Sequence, residues 1–409
     1  MDAPLAFIIA STIVIIGFLG NYFFKRTGIP DVIILILIGF LVGPVLNLID
    51  RSGFEGVAPL FTPLAIAVIL FDGGLNLNLY GVLKESPRAI VLASLSILTS
   101  IIATSIFTVL VFEWELMHGL LLGAIIGGSS SAIVIPLAFR INVSQKVSTL
   151  LSLESTFTDA ICIVVAIAIL QLMTFPSQTE DGFNLIIRGI ASGLSIGIVV
   201  GFIGGILWQR VLSTFTDEPY GDILTLALAL LIYGFAEEIG GTGAISALVF
   251  GLVLGNEIKI SETIHIGHRV ETNKMMKRFH SEISFVIRTF FFTYMGIILL
   301  FNNLYLILVG VAISFLLLLI RYGAVLFTTI KAPILKIDRS VLTVMLPRGL
   351  AAAVLVELLV ESGIENAILF REIVLTVIVS TVLICTVGIY FLKARYYRES
   401  RIQKPEEIL

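Results

Sequence analysis

An all-α polytopic membrane fold with about thirteen transmembrane helices is what this 409-residue chain predicts, on three observations. Hydrophobic residues make up 57% of it and charged residues 13%, with a mean hydropathy of +1.06, which excludes an ordinary soluble globule. The apolar residues come in runs of about 20, the length a tilted helix needs to cross a hydrocarbon core of about 30 Å. When those runs alternate across a membrane, twenty of the 26 Lys and Arg collect on one side and only Arg51 and Arg371 on the other. That bias marks the inner side, so the expected placement is a plasma membrane with the N-terminus outside and the C-terminus cytoplasmic.

The runs follow in order. Leu5–Phe24 precedes its basic pair Lys25 and Arg26, the reverse of a secretory signal, and reads as a retained span. Asp31–Leu48, Ala58–Leu79 and Ala89–Phe112 are next. Leu116–Phe139 contains Gly127-Gly128-Ser129-Ser130-Ser131 and then Pro136, which weaken a helix through glycine entropy and proline's missing donor. Val147–Phe175, Leu185–Leu207, Asp222–Ile239, the short Gly-rich Gly243–Leu254, Ser281–Phe301 and Leu304–Thr329 continue the series. Val341–Val360 is interrupted by Pro347-Arg348-Gly349, and Ile373–Leu392 closes it.

The loop Asn256–His280 is polar with room for a surface helix, and its basic residues read as the positive-inside signal, not as a nucleic-acid patch. Cys162 and Cys385 both fall in apolar runs, so no disulfide framework is expected.

Spans four to six and spans eleven to thirteen have opposite orientations, and each triplet has its interruption in the middle helix. The expectation is a pair of inverted repeats whose broken helices cross at the midplane, the arrangement that places a secondary transporter's binding site. Freed backbone groups are tolerated at that depth where they line a cavity or pack against protein.

Asp159 is the most informative residue. It sits thirteen residues from Lys146, roughly 20 Å deep at about 1.5 Å per residue, where a carboxylate is costly and usually functional. Ser155 is four residues back and shares its helix face, with Glu154 and Thr158 one step around. Ser129 and Ser130, at the interruption, add hydroxyls and unpaired carbonyls. An all-oxygen set of this kind suits a proton or a hard cation such as Na⁺ or K⁺. Burial penalises the charged carboxylate, so the two ligands compete for one group.

Arg348 is a second deep charge, and a buried guanidinium needs a partner; Glu154 is the expected one, in a structural ion pair. Arg288 and Arg321 are expected to snorkel from inner helix ends. Asp72 either lines a cytoplasmic funnel that attracts cations or caps a helix.

Together these residues resemble the monovalent cation:proton antiporter superfamily, most nearly its NhaP-type sodium/proton branch. Glu154-Ser155-Thr156-Phe157-Thr158-Asp159 is similar to that branch's E-S-x-x-N-D motif. Gly123-Ala124-Ile125 through Pro136 matches the frame of its T-D-P motif, Phe71-Asp72-Gly73-Gly74-Leu75 resembles F-E-G-G-L, and Pro347-Arg348-Gly349-Leu350 its basic broken helix.

The resemblance implies an NhaA/NhaP-like fold, a homodimer in the lipid bilayer, no cofactor beyond the transported ions, and exchange of Na⁺, K⁺ or Li⁺ for H⁺ at Asp159. Ser155 and Ser129 would help ligate the cation, and Glu154 with Arg348 would be the structural pair. It also implies scaffold parts at 1–80 and 182–301, transport-core parts at 84–176 and 302–394, and a short tail at 395–409. Thr158 stands where the branch has asparagine, which leaves one titrating carboxylate and implies electroneutral exchange. Ser129-Ser130-Ser131 resembles the potassium-efflux branch instead.

Two other classes fit parts of the pattern. A Na⁺-coupled symporter of an organic anion could use crossed broken helices but needs further cationic contacts. An intramembrane aspartyl protease would need Asp72 and Asp159 to face one another, and neither sits in a G-x-G-D context. A channel is disfavoured because no repeated filter segment occurs.

Overall fold

The computed structural model describes residues 3–27, 30–46, 58–76, 87–141, 143–174, 182–214, 220–256, 274–299, 303–330 and 336–402. Arg51, Phe175, the outer ends of the second and third expected spans, and most of the loop Asn256–His280 lie outside them.

The described residues form helices and no strand: α1 (Ala3–Thr27), α2 (Asp31–Phe40, continued by a π-helical turn Leu41–Val45), α3 (Ala58–Asn76), α4 (Pro87–Phe112), α5 (Leu116–Ile125), α6 (Ser131–Ile141), α7 (Gln145–Thr174) and α8 (Gly182–Thr214). They continue with α9 (Gly221–Glu238), α10 (Gly243–Gly255), α11 (Lys274–Ile298), α12 (Leu304–Thr329), α13 (Lys336–Val344), α14 (Leu350–Glu361) and α15 (Ala367–Ile402). By length and composition, 6 of these are apolar enough to cross a membrane among the described residues, and shorter apolar helices accompany them.

Several helices outrun their apolar runs. α8 begins before Leu185 and ends seven residues past Leu207, α11 begins at Lys274 and not Ser281, and α15 continues through Lys393 to Ile402. Hydropathy stops where polar residues start, but Lys, Arg, Ala and Glu are good helix formers and carry the backbone onward. The expected tail from 395 is therefore helical as far as Ile402.

The chain divides into two compact units, one of Met1–Ile15, Ile49–Gly81 and Leu170–Tyr294, the other of Ile16–Leu48, Val82–Ile169 and Met295–Leu409. In the first unit, α10 lies directly on α3 and α8. A Cβ at Gly251 would run into the carbonyl of Phe71, and one at Gly74 into that of Leu248, so glycine is what lets these backbones approach. Lipid offers apolar side chains as good an environment as protein does, so close packing of this kind is what holds membrane helices together. Phe71, Leu75, Trp208, Phe250 and Leu254 fill the space beside that contact.

In the second unit, Val134, Leu137, Leu151, Val325, Val341, Leu342 and Cys385 form one buried cluster drawn from α6, α7, α12, α13 and α15. This cluster anchors both half-helices, α6 and α13, at the ends away from their breaks.

Candidate functional site

Two backbone interruptions build the site, both in the second unit. The first lies between Ile125, where α5 ends, and Ser131, where α6 begins; the second lies between Val344 and Leu350. A helix end leaves amide hydrogens without partners, and in an apolar interior each must find one.

Three successive serine amides at the first break do so in three ways. Ser129 N–H donates to Thr158 Oγ1 at 3.1 Å, Ser130 N–H to the Pro347 carbonyl at 2.8 Å, and Ser131 N–H to Asp159 Oδ2 at 3.1 Å. The middle bond ties one break directly to the other. At the second break, Arg348 N–H donates to Thr381 Oγ1 at 3.0 Å. A Cβ on Gly349 would collide with the Ser130 hydroxyl, so the crossing requires glycine there.

Asp159 is held on one side only. Its Oδ2 also accepts from the Ser131 hydroxyl at 2.7 Å, and the N-terminus of α6 presents its positive end to the same oxygen. Its Oδ1 has no hydrogen bond with a described residue, and the side chain is half-buried. One oxygen is thus fixed and the other is open to a ligand.

Glu154 is the opposite case. It is fully buried, and its two oxygens take Arg321 Nη1 at 2.6 Å and Nη2 at 2.9 Å. Ser129 Oγ donates to it as well, at 3.2 Å, and Arg321 Nε donates to the Leu342 carbonyl at 3.1 Å. Bidentate geometry with the remaining groups satisfied is what a buried ion pair needs in order to persist.

This corrects the expected pairing. Arg321 does not snorkel but reaches inward to Glu154, whereas Arg348 makes no ion pair with a described residue and its Nε has no hydrogen bond. The reason is local: Arg348 follows the break, and its backbone is drawn to Thr381, while Arg321 projects from regular helix toward α7.

Of the expected cation ligands, none of Ser129, Ser130, Ser155 and Thr158 hydrogen-bonds the Asp159 carboxylate. Thr158 Oγ1 is occupied by Ser129 N–H and by its own bond to the Ser155 carbonyl at 3.1 Å. Ser155 Oγ donates back to Ser152 O at 3.3 Å, Ser130 faces Gly349, and Ser129 serves Glu154. The residue that grips the carboxylate is Ser131, last of the serine run and outside the expected ligand set. Its position as first residue of α6 was the available signal, since that is where an anion is received.

Asp72 belongs to the first unit, where its Oδ1 accepts from Asn76 Nδ2 at 2.8 Å and from Ser281 Oγ at 3.0 Å.

An all-helical membrane protein with two tethered helix breaks around one half-open carboxylate belongs, as a class, with the secondary transporters. Residues 9–393 match the family model described as sodium/hydrogen exchanger, transmembrane, and the chain belongs to that family. It is of the NhaP-type monovalent cation:proton antiporter group.

Among curated relatives, "K(+)/H(+) antiporter NhaP2" of Shewanella baltica is 29% identical over 258 residues, 61% of this chain and 44% of that protein. "Low-affinity Na(+)/H(+) antiporter NhaS1" of Synechocystis sp. is 28% identical over 292 residues, 69% of this chain and 53% of that one. The chain thus spans about half the length of these relatives. The fold is similar to the solved structure of the sodium proton antiporter MjNhaP1 from Methanocaldococcus jannaschii, with a TM-score of 0.75, 20% identity, and 98% of this chain and 99% of that one covered. The symporter and protease readings gain no support from this family.

Proposed function

We propose that this chain exchanges a monovalent cation, Na⁺ first and K⁺ or Li⁺ as alternatives, for H⁺ across the plasma membrane, with Asp159 carrying either ligand in turn. The observation that carries the reading is the asymmetry of that carboxylate: Oδ2 is fixed by two Ser131 donors while Oδ1 is left open.

The chemistry follows from the surroundings. A bare carboxylate away from bulk water binds whichever cation restores its balance, and oxygen donors favour a proton or a hard alkali ion. Ser129, Ser130 and Ser155 supply hydroxyls nearby on the two chain segments, and a loaded cation would draw on them and on break carbonyls. Glu154 is committed to Arg321 and does not compete. One open carboxylate takes one proton or one cation, so exchange is one for one.

The unit that holds both breaks supports assigning 84–176 and 302–394 to the transport core, with 1–80 and 182–301 as scaffold. The Lys and Arg distribution supports an outside N-terminus and a cytoplasmic C-terminus. A homodimer and a cytoplasmic funnel at Asp72 complete the reading by likeness to the family.

The test is dye-reported proton flux in proteoliposomes, with Na⁺, K⁺ and Li⁺ added in turn. Wild-type protein gives cation-driven proton movement and Asp159→Asn gives none. Undiminished flux in Asp159→Asn would sink the assignment.

A further inference from the structure

Beyond the second break, α14 is buried along most of its length, and residues four apart on it share a face. Gly349, Ala353, Glu357 and Glu361 form such a row. Gly349 lies against Ser130 at the site, and Glu361 is exposed. Glu357 stands between them, about 12 Å along the axis from Gly349 and about 6 Å short of Glu361 at 1.5 Å per residue.

Glu357 is only 3% exposed, yet its Oε1 has no hydrogen bond. The one cation paired with it, Arg371, approaches Oε1 no closer than 3.8 Å through Nη1, outside hydrogen-bond reach. A purely structural buried pair closes as Glu154 and Arg321 do; this one has not. The other charged or titratable groups on the elements packed against it are Glu372 on α15, His118 on α5 and Glu361 on its own helix. His118 is itself buried, with Nε2 lacking a partner, beside Trp114 and Phe370.

We propose that Glu357 is a proton-transfer station between the Asp159 site and the outer face. The inference rests on the exchange reading above and adds a residue to it. A hydronium at the outer face gives its proton to the Glu357 carboxylate and leaves water. The resulting acid passes that proton along the Gly349 face to the Asp159 carboxylate, which becomes neutral as Glu357 regains its charge opposite Arg371. The cation does not need this path.

Two fluxes measured on the same reconstituted protein separate the possibilities. Cation-driven proton flux is read by an internal pH dye, and cation self-exchange at equal pH is read with radioactive Na⁺. In Glu357→Gln the proton flux falls about tenfold or more, self-exchange is unchanged, and Glu357→Asp restores part of the proton flux. If both fluxes fall together, or neither changes, the proposal is wrong. If wild-type protein moves cations but no protons, the exchange reading itself has failed, a result distinct from either of these.

Discussion

Glu154 and Arg321 close a two-pronged ion pair in which both side chains are almost wholly buried, at 0% and 3% exposure. Removing one partner strands the other charge in an apolar interior, which costs roughly 3–5 kcal/mol. We expect Arg321→Ala and Glu154→Gln each to lower the thermal midpoint sharply and to reduce the yield of folded protein in detergent. The double variant Glu154→Gln with Arg321→Gln should lose less than the sum of the two, because neither charge is then left alone. Arg348→Gln, which breaks no ion pair among described residues, should move the midpoint far less. If Arg348→Gln proves as destabilising as Arg321→Ala, the pairing is misassigned.

Ser131 gives Asp159 two hydrogen bonds to the same oxygen. A side-chain donor to a charged group contributes about 1.5–3 kcal/mol, and 1.4 kcal/mol is tenfold in affinity. Ser131→Ala keeps the amide donor and deletes the hydroxyl, so the apparent cation KM should rise about tenfold or more while the protein stays folded. Thr158→Ala removes the acceptor of Ser129 N–H instead, and its effect should appear chiefly in stability. Equal KM values for Ser131→Ala and wild type would remove Ser131 from the site.

The crossing of the two breaks depends on Gly349 lying against Ser130. A methyl group there must displace the Ser130 hydroxyl or push the segments apart. Gly349→Ala is therefore expected to abolish cation-driven proton flux, and Ser130→Gly in the same protein should recover part of it by vacating the space. Full activity of Gly349→Ala alone would mean the segments are not held so closely.

Much of this was legible in the sequence. Both breaks fall where Gly127 to Ser131 and Pro347 to Gly349 place them, because missing donors and glycine entropy act locally. The run Leu304–Thr329 coincides with its helix. The partner of Glu154 was less legible, since pairing across helices depends on depth, and depth was counted from the wrong origin. Arg348 is seven residues past Val341, but α13 begins at Lys336. Counted from helix ends, Glu154 is eight residues beyond Lys146 and Arg321 eight before Thr329, about 12 Å in each case at 1.5 Å per residue. That match was in the sequence and points to Arg321. Ser131 was missed for another reason: which serine of three meets the carboxylate is set by where the α6 backbone restarts, which composition does not encode.

Stoichiometry gives the last test. Within the second unit, Glu154 and Arg321 cancel, Arg348 adds one positive charge, and Asp159 carries a negative charge only when empty. Proton and monovalent cation each neutralise that carboxylate once, so the proton-loaded and cation-loaded states have the same net charge, and a cycle that exchanges one for the other moves none across the membrane. We expect cation-driven proton flux in proteoliposomes to reverse at the voltage-independent point set by the two concentration gradients alone. Imposing a potassium diffusion potential with valinomycin in Na⁺ medium should leave that point where it was. A reversal point that moves with the imposed voltage would falsify one-for-one exchange and would require a second titrating group in the cycle.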